Sequence, residues 1–288
     1  MIFIRSFYPL LLLLTLLLNS CKGEQIEKSL INDSGNTEEP IITFAVAGHV
    51  YGNSDHYTHS IYPSFLKKFR EDDAARNFDY LFLTGDVVYD TTFSTSKFVE
   101  AQLDSLNISW FIAQGNHDLQ TLFDKKLNDR SDVDMNLIRY RKNEFLVFNT
   151  SKPGWSIGKD EMLMLKHYLS NVNPDSTDNI FVFTHQLWWE RNTPHTFELY
   201  SIRPNSFALY DGPSDFWKDV FPSFDSTGIE TWFFAGDVGA DEKLESYYED
   251  QHNQFHFYAS GMGGGKADNY LIVEVYQNGH VDIERVNF

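Results

Sequence analysis

Five short apolar runs in this chain each stop at a residue able to bind a metal ion. Residues 42–47 run into Gly48-His49, residues 80–84 into Gly85-Asp86, and residues 109–113 into Gln114-Gly115-Asn116-His117-Asp118. Residues 180–184 lead to His185, and residues 231–235 to Gly236-Asp237. Imidazole nitrogens suit zinc, iron or manganese better than calcium. A carboxylate such as Asp86 can give one oxygen to each of two cations, and Asn116 offers a carbonyl oxygen without adding negative charge. One or two divalent ions held this way activate water and clamp a phosphoryl oxygen. His117, beside Asn116, is placed to act as a general acid, with Asp118 to orient it. Each residue alone has a plainer reading. His185 can be a satisfied buried histidine, Asp86 a loop cap, Asn116 a turn residue tolerant of the left-handed region, and Gly236-Asp237 a common turn. Recurrence at successive strand ends favours one assembled site.

Such a site needs a sheet to present it. Residues 41–47, 79–83 and 108–113 read as buried strands. Between them, Ile61, Phe65, Leu66 and Phe69 follow helical spacing, and residues 93–106 form a second helix with Phe98, Leu103 and Leu106 inward. This βαβαβ alternation predicts parallel strands, and ligands of such sheets bind beyond the strands' carboxyl ends, where His49, Asp86 and Asn116 lie. Residues 119–143 are charged and irregular, read as a loop with a short helix. Residues 144–149 and 179–184 are strands around an amphipathic helix at 158–169, with Met162, Leu165 and Leu169 on one face. The long stretch 186–213 carries Trp188, Trp189, Arg191, His195 and Arg203. Stretches this long are commonly functional. Arg191 and Arg203 are its candidates for bidentate phosphate contact, and the tryptophans either cover the site or offer a stacking platform. A short helix at 214–220 and a strand at 230–235 follow. Strands at 255–260, 270–276 and 280–286 close the chain, with Asn278-Gly279 as a two-residue hairpin turn.

With 42% hydrophobic and 16% aromatic residues in 288, the chain can build a sizeable core. A formal charge of −18 excludes a nucleic-acid duplex as partner, since phosphate backbones demand clustered Lys and Arg. A small phosphorylated substrate is allowed, because a metal supplies positive charge locally. The amino terminus reads as targeting sequence. Arg5 precedes an apolar run at 8–18, short against the roughly 20 residues of a spanning helix. That run ends Leu18-Asn19-Ser20-Cys21, which resembles the lipobox of a bacterial lipoprotein, with Cys21 the lipidated residue; an ordinary cleaved signal is the alternative. The expected organisation is a signal peptide at 1–20, a polar tether at 21–40 and one domain at 41–288. It would be held in a bacterial cell envelope by lipid, facing the periplasm or the cell surface. Cys21 is the single cysteine, so disulfides and thiolate-bound zinc are not expected.

Gly85-Asp86, Gly115-Asn116-His117-Asp118 and the strand-end His185, in this order, resemble the calcineurin-like metallophosphoesterases. The turn Ser260-Gly-Met-Gly-Gly-Gly265 is similar to theirs as well. The resemblance covers nearly all of 41–286. It implies a four-layer α/β/β/α sandwich, two metals, and hydrolysis of phosphomonoesters or diesters by metal-activated water. Two departures stand out. Where the family opens with Asp-x-His, this chain has Ala47-Gly48-His49. Where it closes with Gly-His-x-His, this chain has Gly236-Asp237-Val238-Gly239. Carried over residue by residue, one metal keeps Asp86, Asn116, His185 and Asp237. The other keeps only His49 and Asp86, fewer than the three protein ligands usual for catalytic zinc. Asp55, His56, His59, Asp90 and Asp241 are near enough in sequence to compensate. Loss of the two usual ligands also admits a fold that binds without catalysis, or a mononuclear hydrolase of another ester.

Overall fold

Alternation along β1 (Ile42–Ala47) sets the plan of the molecule. Ile42, Phe44 and Val46 point one way, Ala45 and Ala47 the other, and both sets are buried. A strand without a solvent face belongs inside a layered structure. In the computed structural model, β1 is the middle strand of a five-stranded sheet ordered β11-β10-β1-β2-β3. The structure describes residues 39–53, 60–89, 92–118, 135–151, 155–190, 193, 199, 202, 204–206, 214–241 and 243–288, with Phe93 and Ser94 as backbone. β2 (Tyr80–Leu83) and β3 (Ser109–Ile112) run parallel to β1, as the alternating pattern predicts. β10 (Asn269–Val275) and β11 (Val281–Asn287) are antiparallel additions on its other side.

The second sheet has six strands in the order β4-β5-β6-β7-β9-β8. Its inner members β5 (Asn143–Phe148), β6 (Asn179–Phe183), β7 (Glu230–Ala235) and β9 (Phe255–Ser260) are parallel. β4 (Met135–Tyr140) and β8 (Tyr247–His252) are antiparallel edges. Alternation in both sheets sends one set of side chains into a shared layer. Phe44 stands edge-on to Phe82, Phe145, Phe181, Phe183 and Phe234. Phe82 stacks on Phe183 at 3.9 Å between ring centres. Such pairs add about 0.5–1.5 kcal/mol each beyond area burial.

The opposite faces take helices. Phe65, Leu66 and Phe69 of α1 (Pro63–Arg76) and Val99 and Leu103 of α2 (Phe93–Asp104) cover Ala45, Leu81 and Leu83. Pro63 opens α1, and Asn77 ends it in the left-handed region. On the second sheet, α3 (Lys159–Asn171) and a π-turn (Phe216–Val220) running into α4 (Phe221–Asp225) pack on Leu146, Phe148, Val182 and Phe233. The result is the expected α/β/β/α sandwich. The described residues all fall within one compact unit, Glu39–Phe288. No helix among them is long and apolar enough to cross a membrane.

Several sequence expectations need correction. The stretch expected to be irregular contains β4, and β8 was not anticipated. Phe98 is 54% exposed rather than inward, and Val99 takes the buried position. Trp188 and Trp189 are fully buried in the core outside the second sheet, so neither is a surface stacking platform. Trp188 donates from Nε1 to Asp215 Oδ1 at 2.8 Å. The last hairpin has three loop residues, because Tyr276 N–H pairs with His280 carbonyl at 2.9 Å and Gly279 takes φ +85°. That is the turn-plus-left-handed-residue solution to closing a hairpin.

Candidate active site

Where β1 and β7 stop, the backbones of the two sheets come into direct contact. A side chain on Gly48 would lie 2.3 Å from the Gly236 Cα, and one on Gly236 would lie 2.2 Å from the Thr84 carbonyl oxygen. Only bare backbone fits there, and the fit brings the strand ends of both sheets around one point. His49 (φ 54°) and Asp86 (φ 52°) both take the left-handed conformation on leaving their strands. For residues with a Cβ this costs about 1–2 kcal/mol each. Strain of this kind persists where surrounding structure enforces it, commonly at functional sites.

His49, Asp86, His185 and Asp237 are brought together, all at most 2% exposed. Asp86 lies between the histidines, with Oδ1 3.4 Å from His185 Nε2 and Oδ2 3.7 Å from His49 Nε2. Each imidazole is fixed through its other nitrogen. His49 Nδ1 donates to the Met262 carbonyl and His185 Nδ1 to the Thr84 carbonyl, both at 2.9 Å. Both Nε2 atoms are thereby left to face oxygens. For His185 these are Asp86 Oδ1, Asn116 Oδ1 at 3.2 Å and Asp237 Oδ1 at 3.7 Å. Lone pairs turned on lone pairs require a positive charge among them.

A proton is one such charge. Burial pulls the His185 imidazole down, but Asp86, Asp237 and the Thr84 carbonyl more than offset this, and its pKa is raised. Burial pushes the Asp237 carboxyl up to about 6, against the pull of His185 and Ser206. Burial, and the Asp86 charge after it, push Asp118 up to about 6. On the poorer side of Asp86, burial lowers His49 to about 4 and outweighs the attraction of Asp86, so its imidazole is neutral.

A divalent cation is the other such charge. Asp86, Asn116, His185 and Asp237 are three oxygens and one nitrogen, a donor set suited to zinc, manganese or iron. The backbone carbonyls behind the histidines are the supports that ligating imidazoles normally have. Among the described residues, no three His, Cys, Asp or Glu side chains already converge as closely as ligands do. The donor set fits one cation, which would draw the four side chains inward. A second cation beside His49 finds no such set. Ala47 is fully buried in the apolar cluster with Val50, Phe65 and Val87. Gly239 has φ +76°, and a side chain there would lie 2.7 Å from Ser246 Cβ. Asp241 is exposed and accepts the Lys243 N–H at 2.9 Å, which ties it to its own turn.

The expected roles of the remaining residues shift. Asp118 does not serve as the support of the His117 ring. It is fully buried, and its oxygens accept from the N–H groups of Val87, Val88 and Gly115 at 3.0–3.2 Å, tying the end of β2 to the end of β3. His117 Nδ1 is held by the Tyr89 carbonyl at 2.7 Å, with the Tyr89 ring stacked on it at 5.1 Å. Arg191, Arg203 and Cys21 lie outside the described residues, as do Asp55, His56, His59, Asp90 and His195. Three contributors were missed. Ser206 clamps Asp237 through both N–H (3.1 Å) and hydroxyl. Met262 supplies the carbonyl behind His49. Tyr51 lies with its ring 4.2 Å from that of His49. Ser206 and Met262 are far in sequence from the residues they hold, Tyr51 is two residues from His49, and only the glycine-rich turn around Met262 gave any signal.

The comparisons with known proteins agree with this geometry. The family model for calcineurin-like phosphoesterases matches residues 54–237, more than half of the chain. No curated protein matches the sequence. Among solved structures, the chain is similar to a dimetal phosphatase from Danio rerio (TM-score 0.59, 11% identity, 86% of this chain and 96% of that one). It is similar also to a purple acid phosphatase from yellow lupin, Lupinus luteus, seeds (TM-score 0.59, 10% identity), covering 87% of this chain but 52% of the lupin protein. At such identities the structural likeness speaks for the fold, and the sequence match speaks for descent. This chain belongs to the calcineurin-like phosphoesterase family.

Proposed function

We propose that the chain hydrolyses a small phosphoester with the help of one divalent cation held by Asp86, Asn116, His185 and Asp237. The observation that carries this reading is the pair of histidines. Both are locked by backbone carbonyls so that Nε2 faces Asp86. When bound there, the cation supplies positive charge that polarises a phosphoryl oxygen and acidifies water. The chain's own residues do the rest. His49 is neutral and buried, so its Nε2 accepts a proton or a hydrogen bond on the open side of Asp86. His117, anchored at Nδ1 by the Tyr89 carbonyl, would donate to the leaving oxygen from Nε2 in its protonated form. Asp118 keeps the Asn116–His117 turn in register with Asp86, whose Oδ1 accepts the His117 N–H at 3.1 Å.

The test is metal analysis together with hydrolysis of bis(p-nitrophenyl) phosphate after loading with manganese or zinc. Close to one metal per chain with turnover is the expected result. Less than about half a metal per chain and no turnover would overturn it. A second reading, binding of a phosphorylated ligand without catalysis, is favoured by the apolar surroundings of Ala47 and the closed backbone at Gly239. It predicts metal and phosphate binding without turnover. We also propose that Cys21 carries a lipid anchor to the cell envelope. Fatty-acid labelling that survives Cys21→Ala would refute this.

A further inference from the structure

The site is built almost entirely of acceptors, while a phosphoester brings more of them. Charges acting on His49, His185, Asp118 and Asp237 come from Asp86, Asp118, Asp237 and the histidines themselves. With the second cation position unfurnished, a phosphoryl oxygen on the His49 side of Asp86 needs a hydrogen-bond donor instead. Tyr51 is in that place. It is 4% exposed, and its ring meets those of His49 (4.2 Å), Tyr89 (5.5 Å) and His117 (5.6 Å). These contacts use the ring alone. The hydroxyl makes no hydrogen bond among the described residues. Burial acts most strongly on the phenol, and the Asp86 carboxylate, itself 3.7 Å from His49 Nε2, is the next influence on it.

We infer that the Tyr51 hydroxyl is a substrate-binding donor to a non-bridging phosphoryl oxygen on the His49 side of Asp86. This rests on the proposed phosphoester reading and sharpens it. A neutral phenol donates without adding to the charge of the site, and its ring is braced on three sides, so little freedom is lost on binding. It also favours substrates whose phosphoryl group has two free oxygens to share, one toward the cation and one toward Tyr51.

The experiment compares wild type with Tyr51→Phe, which keeps the ring packing on His49 and removes the hydroxyl alone. Both proteins are loaded with manganese, and inorganic phosphate binding is measured by calorimetry alongside metal content. A hydrogen bond to a charged acceptor is worth about 1.5–3 kcal/mol, so phosphate affinity should fall about 10- to 100-fold at unchanged metal content. Equal phosphate affinity in the two proteins overturns the role of Tyr51 and leaves the phosphoesterase reading standing. A metal-loaded wild type that neither binds phosphate nor cleaves an aryl phosphoester overturns both. Loss of metal from Tyr51→Phe would show the phenol to act on the metal centre rather than on the substrate and also refute the inference.

Discussion

His185 Nε2 lies 3.4 Å from Asp86 Oδ1 while its other nitrogen donates to the Thr84 carbonyl. Held this way, the imidazole either keeps the proton that its raised pKa favours or gives its Nε2 lone pair to a cation. Metal binds the native state in place of that proton, and it should stabilise the fold. At a free metal concentration about 100 times Kd the gain is about 2.7 kcal/mol, or roughly 5–10 °C in Tm for a domain of this size. Asp86→Asn removes the charge shared by both histidines, and its Tm should not respond to manganese or zinc. Thermal melts with and without metal check this. An equal rise in the variant would place the metal elsewhere.

His117 touches Asp86 only through its backbone, while its ring is turned toward Tyr89. His117→Asn should therefore leave metal content intact and reduce kcat. A positioned general acid contributes about 10²–10⁴-fold, and this help matters most when the leaving oxygen is basic. Loss should approach that range on an alkyl phosphoester and be much smaller on a p-nitrophenyl ester. A uniform loss on both substrates would assign His117 to phosphoryl binding rather than to proton donation.

Asp237 is held by Ser206, which comes from the stretch after β6. Ser206 donates its N–H and its hydroxyl to the carboxylate, fixing the rotamer that aims Oδ1 at His185. Ser206→Ala retains the N–H contact and loses the hydroxyl. Supports of metal ligands are worth about 10- to 100-fold in affinity, and the lower figure is expected because half of the clamp remains. Competition with a chromophoric chelator measures it. Unchanged affinity would mean that Asp237 is not a ligand.

The corner of the site on the first sheet was readable because β1 and β2 are almost wholly buried and β3, though a partly exposed edge, is apolar after Ser109. Their apolar runs are unmistakable, and each ends at the residue that matters. The same logic explains what was not readable. β4 and β8 are sheet edges in which half-buried and exposed positions alternate, as in Met135–Tyr140, so no apolar run announces them. Trp188 and Trp189 sat in a stretch with no periodicity, and only packing on Phe216 and Phe257 shows them to be core. Tyr51 could not be singled out, because the Tyr89 and His117 rings that frame it come from the ends of other strands. The missing ligands at Ala47 and Gly239 were visible as departures. Whether they could be put back was not, since that depends on Ser246 and on the cluster beneath α1.

Restoring those ligands should fail for a backbone reason. At Gly239, φ +76° disfavours any side chain, and a Cβ would lie 2.7 Å from Ser246 Cβ and 3.0 Å from Ser246 Cα, neither of which is the free end of a flexible chain. Gly239→His should cost about 2 kcal/mol or more from the left-handed conformation and the clash together, roughly 4–8 °C in Tm. Gly239→Ala meets the same Cβ obstruction and should lose a similar amount, which separates the backbone effect from the imidazole. Ala47→Asp adds a carboxylate among Val50, Phe65 and Val87, where burial of an unpaired charge is costly. The double variant should therefore be less stable than wild type and still bind one metal per chain by native mass spectrometry. A double variant that melts like wild type and binds two metals would show that this end of the sheet is looser than its contacts imply, and that the second position was lost by substitution alone.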